Sequence, residues 1–114
     1  SFSNNEKEII NKIKEALPKD ILDNKVLYQY GLYICTLVGE IKKIDRTIIV
    51  CKYNNLPIHS IKDIDIKADQ ICNLLNKKSG PFLKIIYKDL ETRILNNDLY
   101  NEYTTICNYL KQKY

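Results

Sequence analysis

The chain has 114 residues and a formal net charge of +4, from 18 basic and 14 acidic side chains. That length can bury a core without disulfides or metal, so one domain over residues 1–114 is the expectation. The charge excess permits a polyanionic partner without requiring one; the longest apolar runs are far too short to span a membrane, and no signal-peptide pattern opens the chain, so an intracellular protein of cytoplasm or nucleus is expected.

Ser3, Asn4 or Asn5 can cap a first helix over residues 5–17. Its apolar stripe is Ile9, Ile10, Ile13, Ala16 and Leu17, and Pro18 ends it. Residues 26–61 then read as β-rich. Leu32, Ile34, Thr36 and Val38 fall on one face of an extended chain, and Tyr33, Cys35, Leu37 and Gly39 on the other. The pattern relaxes at Lys42-Lys43-Ile44-Asp45-Arg46 and resumes at Thr47-Ile48-Ile49-Val50, which predicts a long hairpin. A glycine inside such a strand marks a bulge, a bend or a close backbone approach. Leu56 to Ile61 reads as a short third strand, with Pro57 placing it at an edge.

Asp63 or Asp65 can cap a helix over residues 64–78, and Gly80-Pro81 follows it as a stop. Residues 82–95 predict two further strands, Phe82–Tyr87 and Thr92–Leu95. A last helix, 98–112, carries Leu99, Tyr103, Ile106 and Leu110 on one stripe. That stripe is wider than a single contact face needs, which points to a protein partner, as a homo- or hetero-oligomer.

Chemistry-bearing motifs are absent. Cys35, Cys51, Cys72 and Cys107 have no zinc-ligand spacing and read as buried free thiols. His59, the only histidine, has no nucleophile beside it in sequence. There is no glycine-rich phosphate loop and no recognisable pair of acidic residues for acid–base work. A non-enzymatic protein with no metal and no cofactor is expected. Tyr33, Lys42, Lys43, Arg46 and Lys52 are candidate weak contacts to nucleic acid, by base stacking and phosphate pairing.

Two stretches carry a resemblance. Val38-Gly39-Glu40-Ile41-Lys42-Lys43-Ile44 followed by Thr47-Ile48-Ile49-Val50 resembles the first strand pair of OB-fold domains. Leu99-Tyr100-Asn101-Glu102, with Ile106 and Tyr109, resembles the C-terminal helix of the smallest subunit of replication protein A. The resemblance implies an α+β fold, with a small antiparallel barrel or strongly bent sheet flanked by N- and C-terminal helices. It also implies a nuclear, DNA-replication role as the small subunit of a single-stranded-DNA-binding complex, assembled through the C-terminal helix. The same element order also fits a roadblock-, longin- or profilin-like α–β sandwich acting as an adaptor. A small inhibitor or immunity protein is a further alternative.

Overall fold

The computed structural model describes residues 3–114, and among them no strand forms. The order is α1 (Asn4–Ala16), α2 (Asn24–Lys42), α3 (Arg46–Asn54), a 3₁₀ turn (Ile61–Asp63), α4 (Ala68–Leu75), α5 (Phe82–Leu95) and α6 (Tyr103–Lys113). Two compact units divide this chain, one ending at Leu56 and the other covering Pro57–Tyr114.

The first unit is built on α2, which packs against both α1 and α3. Ser3 Oγ accepts from Glu6 N to start α1, and Asp23 accepts from Lys25 N to start α2. Gly31, at φ 82° and ψ 169°, breaks α2 in two. Such a backbone is accessible to glycine almost alone. Beyond the break, Ile34, Cys35, Val38 and Gly39 are buried as two adjacent pairs four residues apart. That is a helical stripe and not an alternation. Lys43 stops α2 in the left-handed conformation (φ 60°), with Ile44 N donating to Gly39 O at 2.8 Å. Asp45 then caps α3 through Thr47 N, 2.9 Å away. Ala16, Ile21, Leu27, Thr36, Ile49 and Leu56 complete the buried set of this unit.

The expected α+β fold, with an OB-like barrel or a roadblock-, longin- or profilin-like sandwich, is therefore corrected to an all-helical fold over the described residues. The predicted strands of 26–61 are occupied by α2, α3 and irregular chain. Those of 82–95 are a single helix, α5. The physical reason lies in the spacing. Ile, Val, Thr and Tyr favour strands, but a weak propensity yields to tertiary packing when the same residues also satisfy a 3.6-residue period. In α5 that period is explicit, since Ile86, Leu90 and Ile94 are buried one turn apart.

In the second unit, α4 packs with α6. Neither Asp63 nor Asp65 caps α4. Asp63 Oδ2 accepts from His59 N at 2.8 Å, and Asp65 Oδ2 accepts from Tyr103 N at 3.2 Å. Asn101 ties the same loops together, donating to Asp63 O and accepting from Asp65 N, both at 2.8 Å. Helix α4 consequently starts only at Ala68, where Gln70 accepts from Lys67 N. Of the thiols, Cys35 and Cys107 are buried, Cys72 is half-buried and Cys51 is exposed. Burial pushes the Cys35 thiol up to about 11, so it is inert at neutral pH.

Gly39 is the tightest point of the first unit, because a Cβ there would overlap the Cδ1 methyl of Ile49. Gly39→Ala alone should therefore gain little of the roughly 1 kcal/mol that alanine brings to a helix interior. In an Ile49→Val background the obstructing methyl is gone, and the same substitution should become stabilising. Urea denaturation of the four proteins checks this, and additive effects would show that the two side chains do not meet. Gly31→Ala meets no atom within 4 Å. Its cost should be backbone strain alone, about 1–3 kcal/mol.

Candidate functional site

The end of α1 and the turn between α2 and α3 bring four cations to one corner of the first unit. Lys42 Nζ donates to the Lys19 carbonyl at 2.6 Å. Lys19 in turn lies over the Tyr30 ring, 5.3 Å from its centroid, and donates to its hydroxyl at 3.2 Å. Lys43 stands in the turn and Arg46 opens α3. Both are exposed, and neither is ion-paired to a described residue. The nearby Asp45 carboxylate is occupied by the Thr47 amide. The corner is thus cationic by arrangement more than by count, with helix ends holding its charges close together.

The five nucleic-acid candidates separate in the structure. Lys42, Lys43 and Arg46 share the corner. Tyr33 is exposed but lies nine residues earlier along α2, about 13 Å away at 1.5 Å per residue. Lys52 lies six residues beyond Arg46 along α3, about 9 Å away. Lys19 belongs to the corner and was not legible as a member. It precedes Lys42 by 23 positions, and only the packing of α1 on α2 joins them. The four partner candidates also separate. Ile106 and Leu110 are fully buried, Tyr103 is exposed, and Leu99 is half-buried in the loop before α6.

The second unit holds one concentrated polar cluster, on Asp89 of α5. Its Oδ2 accepts from Tyr109 Oη at 2.6 Å, Tyr114 Oη at 2.9 Å and Lys113 Nζ at 3.0 Å. Arg93 Nε stands 3.5 Å from Oδ1 and over the Tyr109 ring. Burial alone would raise the Asp89 pKa, but the hydrogen bonds from Tyr109, Lys113 and Tyr114 outweigh it and hold the carboxyl below its ordinary value. The Lys113 ammonium is correspondingly held above its usual range, first by its hydrogen bond to Asp89. This cluster fastens α6 to α5. A carboxylate held at a lowered pKa by these donors is a weak base.

Among the described residues no three His, Cys, Asp or Glu side chains converge on a point where a metal ion would be held. No helix is long and apolar enough to cross a membrane. The described residues thus form short helices with a cationic corner and with several carboxylates engaged by internal partners. The family follows from the sequence. Residues 1–110 match the family described as tRNA nucleotidyltransferase domain 2, and the chain belongs to it. It is 31% identical over 115 residues to the CCA-adding enzyme of Lactococcus lactis subsp. lactis, covering 96% of this chain and 29% of that enzyme. It is 34% identical over 91 residues to the CCA-adding enzyme of Lactococcus lactis subsp. cremoris, covering 75% and 23%. With the CCA-adding enzyme of Listeria monocytogenes it shares 30% over 104 residues, covering 87% and 25%. The chain therefore spans less than a third of the length of these curated relatives.

Family membership corrects four expectations. The resemblance to the smallest subunit of replication protein A rested on a strand pair that does not exist and on a short tyrosine- and asparagine-rich match. With it fall the OB-fold, the DNA-replication role, the nuclear location and the single-stranded-DNA-binding complex. The roadblock- or longin-type adaptor and the inhibitor or immunity protein are likewise replaced. The expectation of a non-enzymatic protein is overturned too, since the relatives are CCA-adding enzymes.

The Asp89 cluster has a pH signature. Its folded pKa lies below the unfolded one, so its stabilisation is complete above the ordinary aspartate range near pH ~4. It should be lost as the pH falls through the depressed folded value. Asp89→Asn should cost about 1–2 kcal/mol at neutral pH, in the lower part of the range for hydrogen bonds to charged groups because its partners face water. The variant should also show a flatter decline of thermal midpoint between pH ~5 and ~2 than the parent. Equal acid profiles would remove Asp89 as the fastening point.

Proposed function

We propose that this chain is a tRNA-holding helical part of a CCA-adding nucleotidyltransferase. The observation that carries this reading is the family match over residues 1–110. The structure is compatible in two respects. RNA duplexes are recognised largely through shape and phosphate contacts, and the corner of Lys19, Lys42, Lys43 and Arg46 supplies clustered ammonium and guanidinium groups for phosphate. Phosphoryl transfer is carried mainly by positioning and by metal-centred charge stabilisation. The described residues bring together no set of ligands for such a centre.

Within the corner the roles differ. Lys42 is partly structural, because its ammonium satisfies the Lys19 carbonyl. Lys43 and Arg46 are the free cations and the ones that would meet phosphate.

Fluorescence anisotropy with labelled tRNA tests the reading. The chain should bind tRNA at ~50 mM salt and lose roughly 100-fold in affinity by ~200 mM, as for about four phosphate contacts. Single-stranded DNA of equal length should bind more weakly. Lys43→Glu with Arg46→Glu should lower the salt slope by about two and leave the thermal midpoint unchanged. Absence of tRNA binding at low salt would overturn the proposal.

A further inference from the structure

The second unit carries a groove of about 710 Å³ beside the first half of α5, to which the corner contributes nothing. Its apolar surface includes Ile85 and Tyr114, and its cations are Lys84, Lys88 and Lys113. Ile85 is 65% exposed, more than Ile41, Ile48 or Ile61, the other exposed aliphatic side chains. Lys84 and Lys88 stand one helical turn apart, a like-charge spacing that disfavours the isolated helix. Lys84 has no ion-pair partner among the described residues. Lys88 is itself exposed and reaches the largely covered Glu91 carboxylate at 3.3 Å. The one carboxylate lining the groove, Asp89, is already neutralised by Tyr109, Tyr114, Lys113 and Arg93.

The start of α5 adds to the same field. No side chain caps it, and its first turn holds no acidic residue; Lys84 stands there instead. Acidic residues are favoured at that end of a helix, so a lysine there leaves the positive end of the dipole uncompensated.

We propose that this groove is a second RNA-binding surface, which takes a short stretch of tRNA backbone with Lys84 and Lys88 on successive phosphates. Ile85 and the Tyr114 ring then pack against ribose or an unstacked base. The choice of RNA over a protein partner rests on charge. The cations stand one turn apart, the lining acid is silenced, and the helix start is uncompensated. These features suit a polyanion with regularly spaced charges. The inference rests on the proposed tRNA-binding function and deepens it by assigning a second contact surface.

The test uses the full chain and labelled tRNA, with Lys84→Glu/Lys88→Glu compared against the parent. Both positions are exposed, so circular dichroism should show an unchanged fold. The double variant should bind about tenfold or more weakly at ~100 mM salt, with the salt slope reduced by about two. A photo-reactive amino acid at position 85 should crosslink to the tRNA. If the parent binds tRNA while the double variant keeps its affinity and slope, the groove proposal fails and the tRNA-binding function stands. If position 85 crosslinks only to a second copy of the chain, the groove is a protein interface and the proposal is overturned. If the parent itself does not bind tRNA, both fall.

Discussion

The first unit depends on the absence of one side chain. Helices α2 and α3 can lie close only because Gly39 presents bare backbone to Ile49. That contact fixes the direction of the chain through Lys43 and Asp45 and thereby sets where Lys43 and Arg46 project. The left-handed residue at Lys43 and the Asp45 cap are local devices that end one helix and begin the next within three residues. Close approach of the helices and a short turn require each other. A bulkier residue at 39 would push α3 outward, and the turn has no slack to absorb the shift.

The second unit is fastened differently, with a charged group where the first has a bare glycine. Asp89 gathers two tyrosine hydroxyls and a lysine from the last turn of α6 and the residue after it. The carboxylate loses much of its hydration and regains it as hydrogen bonds, which is the condition for a half-buried charge to stabilise a fold. The consequence for binding is indirect. A negative charge that would otherwise repel a polyanion from the groove of Lys84 and Lys88 is compensated from within.

Much of this could be read from the sequence only at helix ends. Cap chemistry is local, so Ser3 at the start of α1 and Pro18 after its end carry their meaning in one or two neighbours. Periodicity was ambiguous where it mattered most. Residues 32–38 satisfy both a two-residue alternation and a helical stripe. A composition rich in isoleucine and tyrosine weights the choice towards strands through propensity alone. The deciding facts, that Gly31 breaks α2 and Gly39 faces Ile49, are properties of backbone angles and packing. The cationic corner was half legible for the same reason. Lys42, Lys43 and Arg46 are near in sequence, whereas Lys19 joins them only through the fold.

A net charge of +4 looks too small for a chain proposed to hold RNA. The balance changes once the acids are followed to their partners. Asp20, Asp23, Asp45, Asp63, Asp65 and Glu102 each accept from a backbone amide, most of them at a helix start or a tight turn. There the helix dipole and the unpaired N–H groups offset their charge. Asp89 is offset by side chains. Several cations are engaged internally too: Lys12 with Glu8, Lys19 with Tyr30, Lys42 with the Lys19 carbonyl, and Lys88, Arg93 and Lys113 around α5 and α6. The formal count therefore does not describe how the charge is distributed: exposed cations stand at the turn between α2 and α3 and on the first turns of α5. Electrostatic binding to a polyanion follows local density and desolvation of charge, not the total over the chain. Acidic residues committed to capping let a short helical chain remain nearly balanced overall and still present discrete groups of exposed cations.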